Sequence, residues 1–509
     1  MTGRSDNAES SGSSASTAPI PEEQLSTDEV RQRAVTGVAT DFMRVIGVRF
    51  LGLIGMLVLA RLLTPHDFGM IAVGATFVTF ANFVADGGIG TALIRRADPP
   101  ARVDLKALLA FQLGLNTALA LAVSVVLFPF GELGQVTALM VTALPLMAFR
   151  VPAVILSERQ LNYRPFAVVE VVESICYYGW AIALVHEGWG VWGLASANVV
   201  RALVGTCVLL SLVSSARMIP SPSWARVRPL LGFGLRYQAV GVADLFRDQG
   251  IYAVVALVAG VSALGVWSVA HRILQIPLML LTSLWRVSFS GMSRLVAAGE
   301  NVGPTIERIL AVTAIASGLV LAPLVAATPA WVPALFGSQW TDVVPVIPAA
   351  SLHLMVMGSI SVALVGYLWA LGEASAVLRA TLAGIPLLAV VMIPLLLVIG
   401  VPAVGFGWLA SGVGEATVLI LAARKHAEFR IKPRLIPPTI FAAVGASLGW
   451  FVSSEVGTTV VGGLVGAVFA VAVYLLALWV WHRSYLLDSV HLSIRGLRAA
   501  LKSPAPGVT

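Results

Sequence analysis

The chain has 509 residues, of which 58% are hydrophobic and only 12% charged. Soluble domains run near about 45–50% apolar and about 25% charged, so this composition excludes an ordinary soluble globular protein. The formal net charge of +7 would suit nucleic acid in a soluble chain, but Lys- and Arg-rich cytoplasmic loops of a membrane protein account for it, and no nucleic-acid partner is expected.

Residues 1–36 are Ser-rich and polar, with Pro19, Pro21, Glu22, Glu23, Asp28 and Glu29. Such a segment cannot bury a core and reads as a disordered tail. No apolar h-region precedes Gly37, so it is not a signal peptide, and the first membrane helix acts as an uncleaved anchor. From Gly37 to Trp481 apolar runs recur, and the alternation of a β-barrel is absent. The predicted fold is all-α, a polytopic membrane protein.

Fourteen helices are expected: Gly37–Arg61, Phe68–Ile94, Leu105–Phe130, Val136–Leu156, Phe166–Val185, Val191–Ser214, Leu231–Gly260, Ala263–Phe289, Thr305–Ala327, Val343–Leu371, Ala376–Ile399, Pro402–Ala423, Pro437–Ser454 and Thr458–Trp481. They group as a six-helix bundle over 37–215, a basic connector over 216–230, a second six-helix bundle over 231–424 and two extra helices over 425–482. Residues 483–509 form a basic tail in which Leu486, Val490, Ile494, Leu497 and Leu501 share one helical face, as in a helix lying on an anionic leaflet. Prolines at 145, 152, 277, 323, 348, 386 and 394 interrupt apolar helices and permit bends. The longest polar outer loop is expected at Thr328–Asp342. Trp180, Trp189, Trp192, Trp331, Trp340, Trp450, Trp479 and Trp481 fall near helix ends, as an interfacial belt would.

Basic residues concentrate in alternate loops: Arg95, Arg96, Arg102 and Lys106; Arg159 and Arg164; Arg217, Arg226 and Arg228; and the run from Arg424 to Arg434. The opposite loops carry only Arg61. By the positive-inside rule both termini are cytoplasmic. Helices one and seven then run the same way, and each enters a short outer loop followed by a glycine-bearing stretch, with Gly69 aligned to Gly265. The halves read as parallel repeats, and substrate sites in such folds lie between halves near mid-membrane.

Helix seven is the most polar of the long helices, carrying Arg236, Asp244, Arg247 and Asp248. At helical pitch the two arginines lie within about 20° of each other, with the aspartates about 80° and 120° round from Arg236. Local pairing of Arg247 with Asp244 three residues back is the simplest reading. A polar face toward a watery cavity is the functional one. Arg44 and Arg49 in helix one, and Arg272 and Arg286 in helix eight, add further guanidinium groups. Arg suits phosphate because its planar fork binds bidentately and stays charged. Arg44, Arg236 and Arg286 lie near helix ends and could instead snorkel to headgroups. Arg49, Arg247 and Arg272, with Arg236, are the expected binders of an anionic head group. Asp244, Asp248 and Asp86 are the candidates for coupling to H+ or Na+, although Asp86 also precedes a glycine bend that would end its helix. Glu170, Glu173 and Arg201, beside Asn198, could form a buried ion cluster in the first half. His353 and Glu415 stand alone in their helices.

Cys176 and Cys207 fall inside helices and read as small packing residues. No metal set, Walker loop, H-E-x-x-H or G-x-S-x-G is present, so an enzyme is not expected, and no cofactor beyond a possible coupling ion.

Residues LARLLTPHDFGMIAVG (Leu59 to Gly74) and DGGIGTALIRR (Asp86 to Arg96) resemble the N-terminal signature of the polysaccharide transporter family, the Wzx-type oligosaccharide flippases of the multidrug/oligosaccharidyl-lipid/polysaccharide superfamily. LGVWSVAHRILQIPLMLL (Leu264 to Leu281) and LFGSQWTDVVPVI (Leu335 to Ile347) resemble later segments of that family. The resemblance implies two six-helix bundles around a cationic cavity, often followed by two extra helices. It implies a flippase or exporter of polyprenyl-pyrophosphate-linked oligosaccharide for O-antigen, capsule or exopolysaccharide, working by alternating access in the bacterial plasma membrane. The expected partners are lipid-linked oligosaccharide, membrane lipids, and polysaccharide polymerase or export machinery. A drug or metabolite exporter and a lipid II flippase of the same superfamily are the near alternatives. A membrane glycosyltransferase or polymerase is the distant one.

Overall fold

The computed structural model describes residues 47–96 and 98–480, with backbone alone at 233, 235–237, 239 and 240. The two predicted tails, the first turns of helix one including Arg44, and Trp481 lie outside the described residues. The described residues form helices throughout, with no strand among them. Eleven helical runs among them are long and apolar enough to cross a membrane. The run Arg102–Ala148 counts once there, although a 3-10 turn at Phe128–Phe130 divides it. The polar helix seven is not among the eleven.

By its contacts the chain divides into two compact units, between Ala256 and Leu257. The first unit opens with α1 (47–62) and α2 (Pro65–Asp86). The turn between them is short because Thr64 caps α2: its hydroxyl accepts from the Asp67 amide at 3.3 Å, and its own amide donates to the Asp67 carboxylate at 2.8 Å. Pro65 occupies the first turn, where no amide is needed. The threonine–proline–aspartate spacing of the TPHD stretch is therefore a helix start. α1 lies against Tyr178 through Gly52 and Gly55, and a Cβ at Gly55 would stand 2.1 Å from that ring. Small residues permit this approach between membrane helices.

α2 ends at Asp86, and Gly87 (φ 55°) and Gly88 (φ 67°) turn the chain into the short α3 (Ile89–Arg95). α4 (Arg102–Leu127) follows. The predicted fourth helix is three pieces: α5 (Gly131–Val141), α6 (Ala143–Ala148) and α7 (Val151–Arg159). Its breaks fall at Thr142 and at Phe149–Arg150, each three residues before a proline, where the ring disturbs the carbonyl of the preceding turn. α8 (Arg164–Leu184) and α9 (Val191–Leu212) form a hairpin. α10 (Trp224–Val258) completes the unit.

The connector is more structured than a basic linker. Residues 224–229 already belong to α10, Val227 is buried, Arg226 pairs with Asp104 at 2.6 Å, and Trp224 packs on Phe111. α10 then docks on the end of α2. A Cβ at Gly234 would stand 2.3 Å from the Gly87 carbonyl, the Gln238 amide donates to the Phe83 carbonyl, and Phe246 meets Phe80 edge-on.

The second unit contains α11 (Val261–Ala297), α12 (Gly303–Trp331), α13 (Ile347–Ala370), α14 (Ala374–Ile399), α15 (Ala403–Ala423), α16 (Lys432–Val456) and α17 (Val460–Val480). The expected polar loop at Thr328–Asp342 is instead helical: α12 runs on to Trp331, a π-turn spans Val332–Phe336 and a 3-10 helix spans Ser338–Val346. Trp340, Val343 and Val346 are fully buried, so Trp340 is a core residue and not part of an interfacial belt. Their three-residue spacing drives the segment into the unit despite Ser338, Gln339, Thr341 and Asp342 between them. Prolines 277, 323, 386 and 394 lie inside helices that continue through them, whereas Pro348 sits in the first turn of α13. The two start points match the predicted repeat: Gly69 lies four residues after Pro65 in α2, and Gly265 four after Val261 in α11, both buried.

α16 and α17 are integral to this unit. Glu307 on α12 accepts from the Arg430 amide at 2.9 Å and pairs with Arg434 at 2.9 Å. Tyr474 on α17 donates to the Ile315 carbonyl at 3.2 Å. α16 and α17 touch backbone to backbone: a Cβ at Gly449 would stand 2.5 Å from the Gly466 carbonyl.

Candidate functional site

Three of the predicted residues come together on α10. Arg247 places Nε 3.0 Å from Asp248 and Nη2 3.5 Å from Asp244. The arginine is 27% exposed and both aspartates more than half exposed. The simplest sequence reading, pairing of Arg247 with Asp244, is realised, and Asp248 joins it from the next position. Summed, the triad carries one net negative charge, a poor field for an anion and a suitable one for a cation. Arg49 is exposed on α1 of the first unit, and Arg272 is exposed on α11 of the second. Arg236 lies on α10, and its side chain is outside the described residues.

Asp86 occupies the last position of α2 and accepts from the Gly88 amide at 3.2 Å, so it closes the helix at the glycine bend. Glu158, near the end of α7, has its pKa raised, first by burial and then by the negative charge of Asp86. Beside it Arg159 gathers the open carbonyls at the end of α3, with Nη1 at 2.9 Å from Leu93, 3.1 Å from Ile94 and 2.7 Å from Arg96. A cation on helix-terminal carbonyls is favourable with the helix dipole.

The ion cluster anticipated in the first half exists, with a member that sequence reasoning missed. Glu173 on α8 is buried and receives Arg201 of α9 at 3.3 Å. It also receives Arg150, at 2.5 Å. Arg150 stands in the break between α6 and α7, where it also donates to Thr206 Oγ1 at 2.8 Å and the Ala202 carbonyl at 2.7 Å. The signal was present, an arginine between two prolines in an apolar run. Asn198 is not a member, as it donates to the Leu194 carbonyl of its own helix. Glu170 lies one turn before Glu173, half-buried.

The second unit carries a cluster of rings. Trp267 and His271, four residues apart on α11, stack at 5.4 Å with planes 3° apart. Trp408 of α15 meets both edge-on, at 5.2 and 5.8 Å. His353 of α13 lies 5.3 Å from the same indole. Glu415 accepts from Ser411 at 3.1 Å. Neither His353 nor Glu415 is isolated. No group of three or more His, Cys, Asp or Glu suited to a metal occurs among the described residues.

This arrangement, long apolar helices in two units with arginines and ion clusters inside the apolar runs, is that of a polytopic membrane protein. The fold is similar to that of the lipid II flippase MurJ in an inward closed conformation, with a TM-score of 0.65 and 14% identity over 88% of this chain and 100% of that one. It is also similar to an inward-facing multidrug resistance MATE family transporter of the MOP superfamily, at a TM-score of 0.51 and 17% identity, covering 74% of this chain and 94% of that one. Residues 58–345 match the family described as "Polysaccharide biosynthesis protein", and the chain belongs to that family. Among its relatives are the lipopolysaccharide biosynthesis protein WzxC of Escherichia coli (strain K12), 23% identical over 62% of this chain and 66% of the relative. The succinoglycan biosynthesis transport protein ExoT of Rhizobium meliloti (strain 1021) is 28% identical over 57% of this chain and 60% of the relative. The chain thus spans just under two thirds of the length of these relatives.

Proposed function

We propose that the protein is a flippase or exporter of polyprenyl-pyrophosphate-linked oligosaccharide for surface polysaccharide synthesis, acting by alternating access in the bacterial plasma membrane with both termini cytoplasmic. The observation that carries this reading is the match of residues 58–345 to the polysaccharide biosynthesis family, laid on a fold similar to that of a lipid II flippase. In this reading the protein moves its substrate without making or breaking a bond and is not an enzyme. The polyprenyl tail stays in lipid while the diphosphate and sugars pass through the protein. Arg49, Arg272 and Arg236 are the groups offered to the diphosphate, with Arg247 held between its aspartates. Asp244 and Asp248, with Asp86, supply the carboxylates through which H+ or Na+ would drive the cycle. Polysaccharide polymerase or export machinery would receive the product.

The test is a deletion strain analysed for polyprenyl-linked sugars on each leaflet. Repeat units accumulating on the cytoplasmic leaflet, with loss of surface polysaccharide restored by the wild-type gene and not by Arg272→Ala, is the expected result. Normal surface polysaccharide together with new sensitivity to cationic drugs overturns the reading in favour of a drug exporter.

A further inference from the structure

We propose that Arg201, on the open side of the Arg150–Glu173–Arg201 cluster, is an anion-binding subsite for the diphosphate of an isoprenoid-linked substrate. This rests on the flippase reading. The first ground is charge. Two guanidinium groups share one carboxylate, so the cluster carries one net positive charge, the opposite of the Asp244–Arg247–Asp248 triad.

The second ground is where that charge resides. Arg150 is 16% exposed and is committed to Glu173, Thr206 and the Ala202 carbonyl. Arg201 is 49% exposed and turns only its Nε to Glu173. Its guanidinium lies 5.9 Å from the Tyr177 ring centre, and among the described residues its side-chain hydrogen bond is made by Nε, to Glu173. A guanidinium held at one nitrogen and over one ring presents its remaining edge in a fixed plane, the geometry that takes two phosphate oxygens at once.

The third ground is depth. Arg201 is near the middle of α9 (Val191–Leu212), about 15 Å of helix from either end. An arginine there with an open edge is costly against hydrocarbon, so the edge must meet water or an anion. The cluster is also built to stay closed. A Cβ at Gly205 would stand 1.7 Å from Glu173 Oε1 and 2.7 Å from Arg150 Nη2, so only glycine allows the carboxylate between the arginines.

The experiment measures binding of farnesyl diphosphate to the purified full-length protein in lipid nanodiscs, with farnesol as the uncharged control and inorganic pyrophosphate as competitor. Arg201→Gln is expected to weaken farnesyl diphosphate by about tenfold or more, the loss of a charge-assisted two-oxygen contact, and to leave farnesol unchanged. Arg201→Lys, which keeps charge and loses the fork, falls between. Glu173→Gln raises the net charge and tightens the diphosphate. A cluster that serves only to hold α7, α8 and α9 together would lower the melting temperature in all three variants without any tightening in Glu173→Gln, and that result overturns the proposal. So does a folded Arg201→Gln or Arg201→Lys that binds as the wild type does. Wild-type protein that binds farnesyl diphosphate no better than farnesol sinks the flippase reading itself, a result distinguishable from the loss of Arg201 alone.

Discussion

Single residues in this protein act through charge placed where water is scarce. Glu158 illustrates the sign of such an effect. Its native pKa is raised by burial and by Asp86, so its proton is held more tightly in the folded chain than in the unfolded one. Its contribution to stability is therefore fully present below the ordinary carboxyl range and is lost as pH rises through the raised value. Glu158→Gln removes the titration. The variant should melt above the wild type at pH 8 and together with it near pH 4, read by thermal unfolding in detergent across that range. At Gly205 the effect is steric. Gly205→Ala drives a methyl into Glu173 Oε1 and opens the ion cluster. Breaking a buried pair costs about 3–5 kcal/mol, so the variant should show a large fall in melting temperature, whereas Ala at Gly179, which has nothing within 4 Å, should not.

At the scale of elements, apolar runs foretold an all-helical membrane chain, because a membrane helix must be long and almost uncharged, but eleven described runs and not fourteen meet that measure. What they left open were contacts set by rotation of one helix against another. Glu173 and Arg201 are legible as partners since both stand in apolar helices, whereas Arg150 stands at a proline bend and nothing in its spacing ties it to Glu173. The segment Thr328–Asp342 misled through its polar residues, while the spacing of Trp340, Val343 and Val346 pointed inward. The stacking of Trp267 on His271 was legible as a four-residue spacing, yet nothing local announced Trp408 as its third ring. Another contact of this kind supports a prediction. Gly234 and Gly88 let α10 and the end of α2 approach until backbone meets backbone, with Gln238 closing the bend at Phe83. Gly234→Val should separate them and, under the proposed function, abolish rescue of surface polysaccharide in the deletion strain. Gln238→Ala should lower stability by about 1 kcal/mol, one hydrogen bond, and still rescue the deletion strain in the same assay.

For the whole molecule, the contact division falls inside α10, two residues before its end. Helix seven, predicted as the first helix of the second half, shares most of its length with the first unit through Gly234, Gln238 and Phe246. The second unit is closed at its other end by α16 and α17. A chain ending after Ala423 would leave Glu307 without Arg430 and Arg434, and the Ile315 carbonyl without Tyr474. Such a chain is expected to be absent from membranes when its level is read by immunoblot, while a chain ending after residue 482 should accumulate.

The Glu307 clamp also bears on how such a chain can change over generations. Helices appended to an already finished bundle can be shed by a late stop codon with little loss. Here the carboxylate that fastens the last two helices lies on α12, well before them in the chain, so each depends on the other. Shortening the chain would require substitutions at Glu307 and around the Ile315 carbonyl before the stop. Taken in the reverse order the stop strands these groups, so the last two helices are expected to be hard to lose.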